Sequence, residues 1–269
     1  MINTIFQTAN SAIDKATHVI VEAHKLPKIT EFKGRTDLVT KTDRHSEDII
    51  IKEILNTFPN HGIIAEESGS SNANSDYQWI IDPLDGTTNF VHGYPSFGIS
   101  IGVTFQGKSI CGIVKELPTN HTYSAIEGEG AFCDGKQIYV SQINSLEQSL
   151  LVTGFGYEHG EKWLANLELF KQFKDITQGI RRLGAAAIDL CHVASGKSDG
   201  FWEFDLQPWD TAAGVLIVQE AGGFVTKMDG TEYSINRPQL LATNGKIHSE
   251  MLKITKPAIE ELIKNDVKL

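Results

Sequence analysis

The sequence predicts a mixed fold, α+β in its first half and α/β in its second. In residues 1–145, two amphipathic helical patterns are followed by four strand-length segments, as in an antiparallel meander. From residue 146 onward strands and helices alternate, which is typical of an α/β unit. We therefore predict two units, residues 1–145 and 146–269, joined near the polar segment 141–149.

Composition and charge narrow the class of function. The chain has 269 residues, 41% of them hydrophobic, which is enough for a substantial core. Its formal charge of -10 argues against a general nucleic-acid or anionic-membrane surface, although bound divalent cations would still permit a phosphate substrate. No apolar run approaches the ~20 residues of a membrane span. Three widely spaced cysteines and the absence of a visible N-terminal signal predict a cytoplasmic protein with reduced thiols.

Two helices are predicted in the first half. Apolar residues recur at helical spacing over residues 3–26 and again over 49–58. The polar segment 28–41 between them is expected to be a loop or a short hairpin. Asp43, just before the second helix, is typical of a cap or first-turn residue that the helix dipole stabilises.

A short apolar strand is predicted at residues 62–65, with Glu66 and Glu67 at its end. Two such glutamates are usually solvated in a loop. If this strand lies beside the apolar run 79–81, however, Glu66 and Asp82 meet at neighbouring strand ends and can form a metal site. The sequence leaves both alternatives open.

The segment from residue 79 to residue 90 is the most informative stretch of the chain. An apolar strand leads into Asp82 and Asp85, and the intervening Pro83 predicts that strand pairing stops there. The turn that follows offers backbone N–H groups and two hydroxyls: Gly86, Thr87 and Thr88. Carboxylates beside a donor-rich turn suit a cation and a phosphate. The alternative for Asp85-Gly86 alone is a two-residue hairpin turn.

The remaining elements follow from periodicity and turn residues. The meander strands are predicted at residues 96–105, 108–116, 121–127 and 131–140. In the second half, strands are predicted at 150–154, 199–204 and 224–226, helices at 162–173, 185–195 and 211–221, and a turn at 179–184. In the helix 162–173, we expect four apolar residues to share one face: Trp163, Leu164, Leu167 and Phe170.

A second group of acidic residues, Glu203, Asp205 and Asp210, lies in the second half. Asp210 precedes a nearly all-apolar helix and is explained equally well as its N-cap. A carboxylate held rigidly at a buried helix N-terminus could also bridge a metal.

Four segments together resemble the inositol monophosphatase family of Mg²⁺-dependent, lithium-sensitive sugar-phosphate phosphatases. They are residues 37–43, 65–68, 79–90 and 209–214, in that order. The resemblance covers nearly the whole chain. It implies a layered αβαβα sandwich that is usually dimeric, and a small phosphorylated metabolite as its partner, with no membrane and no nucleic acid.

The resemblance also implies two to three Mg²⁺ ions. Glu66, Asp82 and the backbone carbonyl of Leu84 would hold the first ion, while Asp82, Asp85 and Asp210 would hold the second. Glu66 would contribute to a third, weaker site. All of these ligands are oxygen atoms, which suits a hard cation. Two cations ~3.5–4 Å apart could clamp the attacking and leaving oxygens of an in-line displacement.

The catalytic and substrate roles are implied in the same way. Asp43 and Thr87 would orient and polarise the attacking water, together with the metal ligand Glu66. The phosphate would lie on the backbone of three residues: Gly86, Thr87 and Thr88. The hydroxyl-bearing part of the substrate would lie near six residues: Asp85, Gly184, Ala185, Ala186, Glu203 and Asp210.

The sequence leaves the substrate open. Inositol monophosphate or a related polyol phosphate is expected. The alternatives within the same superfamily are NADP phosphatase, fructose-1,6-bisphosphatase and 3′-phosphoadenosine 5′-phosphate phosphatase. The basic segment Lys33-Gly34-Arg35 could favour a substrate with a second phosphate. Residues 154–160 are expected to border the substrate site as well, but their sequence has no pattern that predicts a specificity. An alternative of another class is a regulatory binding protein, because some bacterial relatives are linked to the transcription machinery.

Overall fold

A computed structural model describes residues 1–26, 30–32, 38–236 and 239–269. The first part contains two long helices, α1 (Ile2–His24) and α2 (Lys41–Thr57), and a small antiparallel hairpin, β1 (Thr30–Phe32) and β2 (Leu38–Thr40). The expected short hairpin at residues 28–41 is therefore partly present. The segment Lys33-Gly34-Arg35 lies outside the described residues.

The first large sheet is built from eight described strands in the order β10-β9-β8-β7-β6-β5-β3-β4. The strands are β3 (Gly62–Ala65), β4 (Gly69–Ser71), β5 (Tyr77–Asp85), β6 (Gly98–Phe105), β7 (Lys108–Glu116), β8 (His121–Ile126), β9 (Gly130–Cys133) and β10 (Lys136–Gln137). Only the pair β3 and β5 is parallel among these described pairings. Strands β6, β7 and β8 confirm the first three strands of the predicted meander. The single strand predicted at 131–140 was wrong, because the turn at 134–135 divides it into β9 and β10, and β4 was not predicted. A short helix, α3 (Thr87–His92), follows β5.

The second sheet has the order β12-β11-β13-β15-β14 among the described strands. They are β11 (Leu150–Thr153), β12 (Gly179–Arg181), β13 (Gly200–Phe204), β14 (Phe224–Thr226) and β15 (Gln239–Thr243). The helices of this half are α4 (Glu161–Ile176), α5 (Ala186–Ala194), α6 (Pro208–Glu220) and α7 (His248–Lys264). Strand β11 is parallel to both of its neighbours, whereas β15 is antiparallel to both of its own.

Three apolar clusters show how these elements are layered. The first packs α1 and α2 against one face of the large sheet. The second places α5 and α6 between the two sheets, and the third packs α4 and α7 on the outer face of the second sheet. The layers are therefore helix, sheet, helix, sheet, helix, which confirms the predicted αβαβα sandwich.

Three features of the second half differ from the sequence predictions. The prediction of a turn at 179–184 was wrong for its first three residues, because Gly179–Arg181 pairs with β11 as a short edge strand. The apolar face expected for α4 is not the buried face, since Leu164 is 61% and Leu167 44% exposed. The buried face carries Asn166, whose side chain is satisfied by the Trp202 indole and the Gly154 carbonyl at 2.7 Å each. Strand β15 and helix α7 were not predicted.

Candidate metal and phosphate site

Strand β5 presents two carboxylates around a break in its ladder. Asp82 pairs with Ser100 and Asp85 with Gly98, and the register shifts between them. The prediction that pairing stops at Pro83 was therefore wrong. The irregularity leaves Pro83, which has no N–H group, out of the ladder, and pairing resumes at Asp85. The Leu84 N–H donates to Asp82 Oδ1 at 3.0 Å and fixes that carboxylate.

Glu66 lies at the end of the strand beside β5. Strands β3 and β5 are parallel with Ala65 opposite Ile81, and the Glu66 N–H donates to the Ile81 carbonyl at 3.2 Å. The condition set by the sequence is thus met, and Glu66 and Asp82 follow neighbouring strand ends. The Glu47 carboxylate holds the next turn by accepting the N–H groups of Glu67 and Ser68 at 2.8 Å each.

Asp43 combines the two interpretations that its sequence allows. It is the third residue of α2 and forms a capping box with Thr40, whose N–H donates to Asp43 Oδ2 at 2.9 Å. Its other oxygen, Oδ1, lies 2.7 Å from the Thr87 hydroxyl. That hydroxyl also lies 3.1 Å from the Leu84 carbonyl oxygen. The helix cap therefore fixes one carboxylate oxygen and leaves the other facing Thr87.

The turn at Gly86 is not a hairpin, because helix α3 begins at Thr87. Gly86 has a φ of 82°, and a Cβ there would lie 2.8 Å from the Ser96 carbonyl oxygen and 3.2 Å from the Ala185 Cβ. The Asn89 amide bridges the halves by donating to the carbonyls of Ser96 and Leu183 at 2.7 Å each. The turn and the segment 183–185 are consequently in close contact.

Asp85 connects the large sheet to helix α5. Its Oδ2 accepts the Ala187 N–H at 2.9 Å, at the N-terminus of that helix. Burial raises the pKa of Asp85 to about 7, although hydrogen bonds from the Ala187, Ile188 and Ala186 backbone oppose the shift. Asp85 is thus placed beside Ala186 at the start of α5, and the substrate role that the resemblance implies for these two residues stays a prediction.

Helix α6 carries Asp210 to the same place. Glycines on two neighbouring strands, Gly102 and Gly112, pair with each other beneath α6. A Cβ on Gly102 would lie 2.5 Å from the Ala212 Cβ, and one on Gly112 would lie 2.8 Å from the Ala213 carbonyl oxygen. This close approach brings the first turn of α6 down to the sheet. There Asp210 Oδ2 accepts the Gln207 N–H at 2.6 Å. The prediction that Asp210 is the N-cap was wrong, because Gln207 is the N-cap and Asp210 is the third residue of the helix, whose side chain bonds back to the cap.

The carboxylates act on each other electrostatically. Burial, followed by the negative charges of Glu66, Asp85 and Asp210, raises the pKa of Asp82 well above its usual range. Burial raises the pKa of Asp210 to about 7, with the charge of Asp85 adding to the shift. Burying several acidic groups close together is unfavourable when they are ionised, and a bound cation would offset their repulsion. The cluster is therefore a candidate cation site.

Glu203 lies on β13 and is only 9% exposed. Its carboxylate packs against Gly154, where a Cβ would collide with both of its oxygens. Burial, and then the charge of Asp210, raises the pKa of Glu203 well above its usual range. Asp205, on the following turn, forms an ion pair with Lys162 on α4.

Sequence reasoning missed two charged residues near this site. Asp189 on α5 is fully buried, and neither of its oxygens has a hydrogen-bond partner among the described residues. Burial raises its pKa well above the usual range, with further contributions from Glu203 and Asp85, whereas the charge of Arg182 lowers it. Arg182 is the second missed residue. In the sequence it was indicated only by the pair Arg181-Arg182, which precedes a helix of small residues.

Within the described residues, no helix has both the length and the apolar content that crossing a membrane requires.

Comparisons with known proteins agree on one family. A sequence model described as the inositol monophosphatase family matches residues 1–260. The chain is 46% identical over 265 residues to "Phosphatase IMPL1, chloroplastic" of Arabidopsis thaliana, covering 96% of this chain and 71% of that protein. It is 42% identical over 255 residues to "Putative Nus factor SuhB" of Neisseria meningitidis serogroup B, covering 94% and 98%. The solved structure of an inositol monophosphatase from Anabaena matches with a TM-score of 0.86 at 38% identity, covering 96% of both chains.

Proposed function

This chain belongs to the inositol monophosphatase family, and we propose that it is a Mg²⁺-dependent phosphomonoesterase for inositol monophosphate or a related small polyol phosphate. The observation that carries the proposal is that both halves of the fold contribute acidic side chains beside the first turn of α3. These side chains are Glu66, Asp82, Asp85 and Asp210.

The residues present fit Mg²⁺. Their donors are carboxylate and carbonyl oxygens, which are the ligands of a hard cation. Burial and the negative charges of neighbouring acids raise the pKa values of Asp82, Asp85 and Asp210, and a bound cation would reverse that repulsion. We assign Glu66, Asp82 and the Leu84 carbonyl to one ion, and Asp82, Asp85 and Asp210 to a second. Glu66 would contribute to a third, weaker site.

When bound, Mg²⁺ supplies Lewis-acid activation of water and neutralises charge on the phosphate. The chain's own contribution to proton transfer is the pair Thr87 and Asp43. Because the Thr87 hydroxyl donates to Asp43 Oδ1, its oxygen is free to accept a hydrogen bond from the attacking water. The proton of that water can pass to Thr87 Oγ1 while the Thr87 proton passes to Asp43. The capping bonds from Thr40 hold Asp43 in place for this transfer.

The turn before α3 is suited to hold the phosphate. The first N–H groups of a helix have no acceptor within it, so Gly86, Thr87 and Thr88 can donate to phosphate oxygens. The positive φ of Gly86 allows the backbone to approach closely. The substrate hydroxyls would then face Glu203 and Asp85, beside the small residues Gly184, Ala185 and Ala186.

The test is phosphate release, with and without Mg²⁺, from inositol 1-phosphate, NADP, fructose 1,6-bisphosphate and 3′-phosphoadenosine 5′-phosphate. We expect Mg²⁺-dependent release, fastest from inositol 1-phosphate. Fastest release from one of the other three would move the specificity to that class and leave the metal mechanism standing. Silence across the panel from folded, Mg²⁺-loaded protein would refute the enzyme proposal.

A second candidate is a regulatory binding role, beside or instead of catalysis. It is favoured by the 42% identity to a protein named as a putative Nus factor. An Asp210→Asn chain that is catalytically silent yet complements loss of the parent gene in its host would support this role. Loss of complementation together with activity would argue against it. The homodimer and the cytoplasmic location stay predictions.

A further inference from the structure

A second group of metal-ligand types lies on the hairpin formed by β8 and β9. His121 begins β8, Cys133 ends β9, and Asp134 starts the turn that follows. Each of the three offers one ligand atom, and these atoms all lie within 4.8 Å of one another. The His121 Nδ1 is 2.6 Å from Asp134 Oδ2, and the Cys133 Sγ is 3.9 Å from the same oxygen.

The backbone of the hairpin fixes this arrangement. Cys133 pairs with Tyr123, and His121 is two residues earlier on the same strand, so His121 and Cys133 project from the same face of the sheet. Asp134 is joined to Thr122 twice, by its N–H to the Thr122 carbonyl at 2.9 Å and by the Thr122 N–H to Asp134 Oδ1 at 2.8 Å. These bonds hold one carboxylate oxygen and leave Oδ2 directed toward the other two ligands.

We propose that His121, Cys133 and Asp134 form a Zn²⁺ site whose fourth position is open to water. One nitrogen, one sulfur and one oxygen donor match the borderline-soft character of Zn²⁺ and not that of Mg²⁺. In a tetrahedral site, Zn–ligand lengths of about 2.0–2.3 Å place nitrogen and oxygen about 3.4 Å apart, and sulfur and oxygen about 3.6 Å apart. The observed 2.6 and 3.9 Å lie within side-chain adjustments of less than 1 Å.

This site is separate from the catalytic one. Asp85 and His121 lie in one row of paired residues across the sheet, through Gly98 and Glu116. Three strand spacings of about 4.8 Å separate them, which places their backbones about 14 Å apart. The side chains of His121 and Asp134 are 43% and 45% exposed, so an ion there can exchange with solvent. Binding releases the Cys133 thiol proton to the buffer. It also displaces the proton between His121 Nδ1 and Asp134 Oδ2, which moves to His121 Nε2 when the imidazole is neutral and to the buffer when it is charged. The metal would therefore bind reversibly and stabilise the hairpin.

The test is a Co²⁺ titration of the reduced full chain in excess Mg²⁺. A thiolate ligand gives Co²⁺ a charge-transfer absorption that all-oxygen catalytic ligands cannot give. We expect this band to saturate at one equivalent and to be displaced by Zn²⁺. Cys133→Ser should abolish it. His121→Gln should weaken Co²⁺ binding by at least roughly tenfold. Loss of a residue that only supports a ligand already costs that much, and His121 is proposed as a ligand itself.

The matched controls are cysteines and a histidine outside the cluster. Cys111→Ala and Cys191→Ala, at buried positions, should keep the band, as should His92→Gln on the surface. A folded parent without a band would overturn the proposal, as would a band that survives in Cys133→Ser. Phosphatase activity is not part of this readout, so the proposed function can fail or stand independently.

Discussion

The pKa values of the acidic cluster predict that Mg²⁺ binding depends steeply on pH. Burial raises the pKa values of Asp85 and Asp210 to about 7 in the metal-free chain. A carboxyl with that pKa is ionised in about one molecule in eleven at pH 6 and in about ten in eleven at pH 8. Because Mg²⁺ binds the ionised form, each group should weaken binding about tenfold between pH 8 and pH 6. For the two together we expect about a hundredfold, and Asp82, whose pKa is also raised, should add to this effect.

Isothermal titration calorimetry of Mg²⁺ binding at both pH values measures this effect. Repeating the titration at pH 6 in two buffers with different ionisation enthalpies counts the protons released, which should approach two from this pair. Asp210→Asn supplies the control, since it should keep only the share of Asp85. Equal Mg²⁺ affinity at pH 6 and pH 8, without proton release, would show that Asp85 and Asp210 are already ionised in the metal-free chain at pH 6.

The remaining predictions concern single positions and one ion. Asp210→Asn should lower kcat by ~10²-fold or more while the fold is kept, because a metal-ligand anion is removed; activity within a factor of two of the parent would exclude that role. Gly102→Ala should cost about 1–3 kcal/mol of unfolding free energy and lower kcat, because its Cβ meets Ala212; a melting temperature and kcat equal to those of the parent would contradict the close approach of α6 to the sheet. Burial raises the pKa of Asp189, so the folded chain keeps a proton that the unfolded chain loses, and stability should fall as pH rises above the usual carboxyl pKa of about 4. Asp189→Asn should therefore gain melting temperature over the parent at pH 8 but not at pH 4, and parallel curves would contradict this. Lithium should inhibit at millimolar concentrations, and no inhibition would indicate a changed second metal site.

The most predictable part of the site was the part whose residues are neighbours in the sequence. The order of carboxylates, proline and donor-rich turn after an apolar strand placed Asp82, Asp85 and the turn at Gly86 side by side. Glu66 could be predicted only conditionally, because its place depends on β3 lying parallel to β5. That pairing is a tertiary fact that local periodicity does not contain.

Other parts of the structure depend on packing between distant segments, which the sequence pattern does not show. Asp210 reaches the site because α6 lies directly on Gly102 and Gly112, and neither glycine carries a signal for its distant partner. The leucines of α4 do not indicate its buried face, because that face carries Asn166, which is buried with its hydrogen bonds satisfied. Asp189 was missed because it lies within a mostly apolar helix, where burial favours the neutral acid.

In the proposed metal centre, acidic residues from both halves of the fold hold the ions together. Anomalous diffraction from crystals soaked in Mn²⁺, used in place of Mg²⁺, would locate these ions. We predict peaks beside Asp82 and Asp85, one bordered by Glu66 and the other by Asp210. A folded, active protein whose Mn²⁺ peaks lie elsewhere, with none at these carboxylates, would contradict this metal centre.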